Sequence, residues 1–365
     1  MKPSRVRLFA FLLIAVLGFF FCLEVFLRVA APGFRYQRGL AYMQFGYPAP
    51  DDLHHIFYED PELLFRMRPG FDFGAGFEPL NQKGFRGPDF EIQKEKGVFR
   101  IACLGDSVTF GREDASYPEI LSIRLKGLNP DQEYEVLNLG VPGYSSWQGK
   151  RLLDKEVLNL DPDLIIWLFG WNDHWLAHGF SDSEQVPGSP VAYQLRDMLQ
   201  RFRTYQALNF MVAKISARDR GARRSQKFRV PLTEYENILE AVVRECREFG
   251  VPLILVTAPS GFGLGELPDF LVPLGFIEKG ENLARIHARY NRAVRDAAKG
   301  KGVSLVDAQL LFEKEGVKNF FDNPEKDIIH PNRRGFEFLV DAILDEMQAR
   351  GWVSGPIRES KEKIR

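Results

Sequence analysis

The sequence predicts an α/β fold, a parallel β-sheet with helices on both faces, preceded by an apolar segment of membrane length. Three observations lead there. From Val98 onward, short apolar runs alternate with amphipathic segments, and strands separated by helices imply βαβ crossovers. Tight polar turns close several of those runs, the sharpest being Gly105-Asp106-Ser107. Near the amino terminus, a charge-free stretch long enough to approach the span of a bilayer follows Lys2, Arg5 and Arg7.

That stretch runs from Leu8 to Leu23 and resumes past Glu24 with Val25-Phe26-Leu27. Nearly every face of it is apolar, which argues against a buried core helix. It exceeds the core of a cleaved signal peptide, Pro32 directly follows the conceivable cleavage site Val29-Ala30-Ala31, and Phe21 is too large to precede a lipoprotein Cys22. Residues 1–31 are therefore expected to form a cytoplasmic tip and an uncleaved signal anchor; a cleaved secretory signal is the alternative. Arg28, Arg35 and Arg38 offset the basic residues ahead of the span. The usual outcome for one amino-terminal span, a translocated carboxyl-terminal domain, is the orientation adopted.

Residues 32–97 are rich in Gly, Pro and aromatics such as Phe45, Tyr47, Phe57 and Phe65. They predict an irregular, partly β juxtamembrane segment packed on the following domain. Its segment Asn81–Gly87 reads either as a turn or as a reach toward a site rim. Strands are expected over Val98–Leu104, Glu133–Leu139, Asp163–Phe169, Val251–Thr257 and Val303–Val306. Helices are expected near Tyr117–Leu128, Trp147–Leu160, Thr233–Phe249, Asn282–Lys299 and Arg333–Arg350, the last starting at Asn332 and stopping at Gly351. This gives one domain over 98–351, with a polar tail at 352–365.

Two insertions interrupt the domain, at about 176–232 and 260–280. In the first, a polar loop from Gly179 to Pro190 precedes Tyr205, Leu208, Val212 and Ile215 at helical spacing. The stretch Arg196–Arg229 holds ten basic residues (Arg196, Arg201, Arg203, Lys214, Arg218, Arg220, Arg223, Arg224, Lys227, Arg229) against Asp197 and Asp219. It reads as a solvated helix and loop, or as a surface for anionic lipid or an acidic polymer. The second insertion, with Phe262, Phe270, Leu271 and Phe276, either lids a pocket or packs on the domain.

The 48 basic and 49 acidic residues leave a net charge of −1, so no global field draws the chain to nucleic acid. Cys22, Cys103 and Cys246 form neither a disulfide framework nor a metal-ligand spacing. No phosphate loop, dinucleotide fingerprint or zinc spacing appears, so the expected chemistry needs no metal and no cofactor.

A buried strand that ends in Gly-Asp-Ser presents a serine at the carboxyl edge of the sheet, where α/β folds bind ligands. A serine hydroxyl needs a neighbouring base. Of the six histidines, His330 is the best candidate because Asp327 lies three residues before it, where a carboxylate can orient the imidazole. Oxyanion donors are expected from the Ser107 N–H, from Gly140 at a strand end, and from the Asn172 amide. Gly143 competes with Gly140; Asp173 reads as structural, and His174 and His178 as possible pocket walls without an acidic partner. Trp167, Trp171 and Trp175 are candidates for an acyl or sugar site, Trp167 being better read as core. Gly105-Asp106-Ser107-Val108-Thr109 lacks the Gly-x-Ser-x-Gly form of an α/β-hydrolase elbow.

Ser107 in Gly-Asp-Ser, Gly140, Asn172 in Gly-x-Asn-Asp and His330 in Asp-x-x-His together resemble the four blocks of the SGNH (GDSL-type) hydrolases, in that family's order. The resemblance runs from about Val98 to Gly351, and the anchor and the Asn81–Gly87 segment resemble those of membrane-tethered bacterial members. It implies a flavodoxin-like three-layer α/β/α sandwich, with Ser107 as nucleophile, His330 as base, Asp327 as its orienter, and Ser107, Gly140 and Asn172 as the oxyanion hole. The expected activity is hydrolysis of a carboxylic ester through an acyl-enzyme. The substrate would be an ester-bearing small molecule, lipid or glycan. The alternatives are an O-acyltransferase acting on a cell-envelope polysaccharide, which an acyl-donor membrane protein as partner would favour, and a non-catalytic binding protein on the same fold.

Overall fold

The computed structural model describes residues 5–36, 40, 53–74, 76–185, 190–220, 228–264 and 267–353. Phe45, Tyr47, Arg223, Arg224, Lys227 and the tail from 354 lie outside the described residues, as do the side chains of Arg218 and Arg220.

Five parallel strands form the central sheet: β3 (Phe99–Gly105), β4 (Tyr134–Gly140), β5 (Leu164–Leu168), β6 (Leu253–Val256) and β7 (Ser304–Val306), in the order β4-β3-β5-β6-β7. Every residue of β5 and β6 is buried. Their unbroken aliphatic and aromatic runs suit a sheet covered on both faces. One face carries α5 (Ser146–Lys155), α8 (Leu232–Glu248) and α9 (Leu283–Lys301); the other carries α4 (Tyr117–Leu128) and α11 (Arg333–Ala349), with α10 (Ala308–Glu315) beside α11. The α/β/α sandwich expected from the sequence is thus present, with the strand order of flavodoxin-like folds. In that order the connection reverses between β3 and β5, opening a crevice at their carboxyl ends.

Elements ahead of the sheet are less regular. α1 (Arg5–Ala30) is followed by the single turn α2 (Leu53–Ile56) and an antiparallel hairpin, β1 (Phe57–Asp60) with β2 (Leu64–Met67). Asp60 Oδ1 closes the hairpin turn by accepting from the N–H groups of Glu62 and Leu63 at 2.9 and 2.7 Å. Asn81–Gly87 is a turn held by Asn81 Oδ1, which accepts from the N–H groups of Lys83 and Phe85. Its Arg86 donates to the carbonyls of Phe110 and Arg112, so the segment braces the sheet edge and does not reach the site.

Two expectations need adjustment. The helix expected over Trp147–Leu160 stops at Lys155, and a 3₁₀ turn, Val157–Leu160, follows into left-handed Asp161 at φ 51°. The first insertion holds two helices, α6 (Pro190–Gln200) and α7 (Arg203–Arg220). Among the described residues, α1 is the one helix long and apolar enough to cross a membrane.

Candidate active site

Ser107 opens the one-turn helix α3 (Ser107–Phe110), directly behind β3. Asp106 caps that turn, its Oδ1 accepting from the Val108 N–H at 2.9 Å. Two glycines let α3 settle onto the strand ends. A Cβ on Gly105 would stand 1.9 Å from Thr109 Oγ1, and one on Gly140 would stand 2.3 Å from the Phe110 nitrogen. Ser107 therefore sits over the β3/β5 crevice, and its N–H, in the first turn of a helix, has no intrahelical acceptor.

His330 lies on the loop into α11, whose N-cap Asn332 accepts from the Gly335 N–H at 2.9 Å. Asp327 Oδ1 accepts from the N–H groups of Ile329 and His330 at 2.9 and 3.0 Å, curling the loop back on itself. The curl places Asp327 Oδ2 2.8 Å from His330 Nδ1, and His330 Nε2 2.8 Å from Ser107 Oγ. These are hydrogen-bond distances for a nucleophile, a base and the base's orienter. Burial pulls the His330 pKa down, but the hydrogen bond and charge of Asp327 outweigh it and leave it raised. Burial likewise pushes Asp327 up, yet its bonds to the His330 ring and to the two N–H groups bring it down to about 2.

Of the three expected oxyanion donors, two face the cavity beside Ser107 and one does not. Asn172, just after β5, lines the cavity, and its Nδ2 donates to the Tyr144 carbonyl at 3.0 Å. Gly140 is corrected: its N–H donates to Asn138 Oδ1 at 3.1 Å, its Cα packs under α3, and it forms no part of the cavity wall. Gly143, three residues on, lines the cavity at φ 86°, a conformation that favours glycine. The strand simply ends before the turn that approaches Ser107. The signal lay in Pro142-Gly143, a turn pair downstream of the strand's last residue.

A buried polar frame holds that turn. Arg229 donates to the Gly143 carbonyl at 2.8 Å, to Gln148 Oε1 at 2.9 Å and to both oxygens of Asp182 at 3.1 and 2.7 Å. Asp173 accepts from the N–H and Oγ of Ser146 at 2.9 and 2.5 Å, and burial raises its pKa to about 7. The sequence reading of Asp173 as a structural acceptor describes this geometry; Arg229 and Asp182 were missed, since a basic stretch gives no hint of which member turns inward.

The cavity in front of Ser107 has a volume of about 370 Å³. Trp175 and the second insertion, through Phe270, Leu271, Leu274 and Phe276, supply much of its apolar wall, with Lys326 at the side of Asp327. Trp167 is buried on β5, and Trp171 is buried with its Nε1 donating to the Pro259 carbonyl. His174 lies behind the wall, its Nε2 2.9 Å from His287 Nδ1, and burial lowers the pKa of both. His178 packs against Gly275, also off the cavity wall.

Among solved structures, the chain is similar to Axe2, an acetylxylan esterase from Geobacillus stearothermophilus, at 20% identity over 68% of this chain and 94% of that one, with a TM-score of 0.43. It is also similar to LAE5, an alpha/beta hydrolase enzyme from the metagenome of Lake Arreo, Spain, at 19% identity over 68% and 95%, with a TM-score of 0.43. No curated protein matches it. Residues 103–338 match the model of the GDSL-like lipase/acylhydrolase family, so the chain belongs to that family and is an ester-hydrolysing enzyme.

Proposed function

We propose that this chain is a membrane-anchored serine esterase that works through an acyl-enzyme. The observation that carries the reading is the unbroken hydrogen-bonded line from Asp327 through His330 to Ser107 at the wall of an apolar cavity. His330 Nε2 takes the Ser107 proton as Oγ attacks the ester carbonyl. The oxyanion is received by the N–H groups of Ser107 and Gly143 and by the Asn172 amide. His330 then gives its proton to the departing alcohol oxygen, and the bond between that oxygen and the acyl carbon breaks. A water, deprotonated by His330, attacks the acyl carbon; the bond to Ser107 Oγ breaks as His330 returns the proton to Oγ, and the acid leaves.

α1 serves as an uncleaved single span, with the hydrolase domain outside the cytoplasm. In support, Glu24 of α1 accepts from the N–H groups of Arg203 and Thr204 at 3.0 and 2.9 Å. Cleavage after Ala31 would remove that contact with the folded domain.

The test is covalent labelling by a fluorophosphonate. The natural chain is expected to label and the Ser107→Ala variant not to, at an unchanged melting temperature. A folded natural chain that resists labelling would sink the esterase mechanism. The cavity further predicts acyl groups longer than acetyl. Leu274→Trp, which fills it, is expected to lower kcat/KM for an octanoyl ester about tenfold relative to an acetyl ester, the order of discrimination a filled apolar pocket gives. Equal effects on both esters would move the acyl group elsewhere.

A further inference from the structure

The two helices of the first insertion are amphipathic in the wrong sense for a water-facing surface. Val191, Leu195 and Met198 on α6 and Leu208, Met211 and Ile215 on α7 repeat one spacing, i, i+3 or i+4, i+7, and are 51–75% exposed. The faces turned inward are largely polar, beside one small apolar contact of Phe210 and Ala213 with Phe34 and Tyr36. Gln200 Nε2 donates to the Tyr36 carbonyl at 2.8 Å, Gln206 Oε1 accepts from the Tyr36 N–H at 3.1 Å, and Arg203 donates to the carbonyls of Phe34 and Pro32. A helix on the surface of a globular protein normally does the reverse.

These helices are tied to the end of α1. Glu24, the charge that interrupts the apolar run, caps the start of α7: it accepts from the N–H groups of Arg203 and Thr204 and from Thr204 Oγ1. Arg28 pairs with Glu24 and donates to the Arg201 carbonyl, the residue between the two helices. The charge-free run Leu8–Leu23 spans about 24 Å at about 1.5 Å per residue, close to the hydrocarbon thickness of a bilayer. Glu24 therefore falls at the lipid–water boundary, and it fixes α7 at that level.

We propose that α6 and α7 lie in the bilayer interface, as a second membrane contact beside the span, with their apolar stripes among the acyl chains of anionic lipid. The proposal rests on the reading of α1 as a membrane anchor. Interfacial helices of this type combine an apolar stripe with basic residues that meet headgroups. Here Arg201 and Lys214 are exposed, and the sequence continues into Arg218, Arg220, Arg223, Arg224 and Lys227. Ala213 of α7 packs under Gly179, four residues beyond Trp175 of the cavity wall, so the docked helix lies next to the segment that shapes the pocket.

The test uses the full chain in vesicles of phosphatidylcholine and phosphatidylglycerol. In a Cys22→Ser background, where Cys103 and Cys246 are buried, a nitrobenzoxadiazole label is placed through Met198→Cys or Met211→Cys. Ile123→Cys on α4, 62% exposed, is the reference, and Leu195→Cys with Leu208→Cys replaces either pair member that fails to fold. Labels on α6 and α7 are expected to emit to the blue and to be quenched by acyl-chain doxyl lipid about threefold more than the reference, as burial at the headgroup boundary requires. Water-like, unquenched labels in a chain that resists alkaline carbonate extraction would overturn the docking and leave the anchor standing. A blue shift without lipid quenching overturns it as well, because a second copy then covers the face. Extraction by carbonate removes the anchor reading and the proposal together.

Discussion

Asp327→Asn is expected to lower kcat by about four orders of magnitude, the loss seen when a triad histidine is held in the wrong tautomer. Asp327 Oδ1 is committed to the N–H groups of Ile329 and His330. An asparagine that keeps those bonds must point its Nδ2–H groups at His330 Nδ1. That nitrogen then accepts, the ring proton moves to Nε2, and His330 can no longer take a proton from Ser107, 2.8 Å away. The pH profile supplies an independent check. His330 works as a base only when neutral, and its pKa is raised, chiefly by Asp327 against the pull of burial. The acid limb of kcat/KM in the natural enzyme should therefore lie above the ordinary histidine value of about 6.5. With no carboxylate to support the imidazolium, the limb of the asparagine variant should move to lower pH. A p-nitrophenyl ester assayed across pH reads both effects, and a limb that stays in place would remove His330 as the titrating base.

What the sequence made legible follows from the range of each interaction. Strands β5 and β6 could be read because burial on both faces leaves unbroken apolar runs, and α11 because Asn332 caps its start and Gly351 follows its end. Asp327 and His330 meet within three residues, so their spacing alone suggested the geometry the structure contains. Other features depend on contacts far along the chain. The hairpin β1–β2 has strands of four residues, too short for a period to declare itself. The choice between Gly140 and Gly143 turned on where a strand stops, the least certain point in any such reading. Ten basic residues in one stretch looked alike, yet Arg196, Arg203 and Arg229 are buried and Arg201 and Lys214 are exposed. Nothing local separates them, because the carboxylate and carbonyls that draw Arg229 inward come from Gly143 and Asp182.

Arg229 accordingly carries the second large expectation. Arg229 and Asp182 are each 1% exposed, and Arg229→Ala leaves a buried carboxylate without its cation. Breaking such a pair costs about 3–5 kcal/mol, which at about 2–4 °C per kcal/mol for a domain of this size lowers Tm by roughly 10 °C. Arg229→Lys separates stability from catalysis. A lysine keeps a charge beside Asp182, but its single ammonium cannot reproduce the planar fork that also holds the Gly143 carbonyl and Gln148. Most of the melting temperature should return while the turn carrying the Gly143 N–H loosens. In the proposed mechanism that N–H meets the oxyanion and not the ground-state ester, so the loss should appear in kcat, by about tenfold, with KM little changed. Full kcat in the lysine variant would reduce Arg229 to a stabilising ion pair. An equal loss in KM would place it in substrate binding, and only a loss confined to kcat supports Arg229 as a positioning residue for the oxyanion turn.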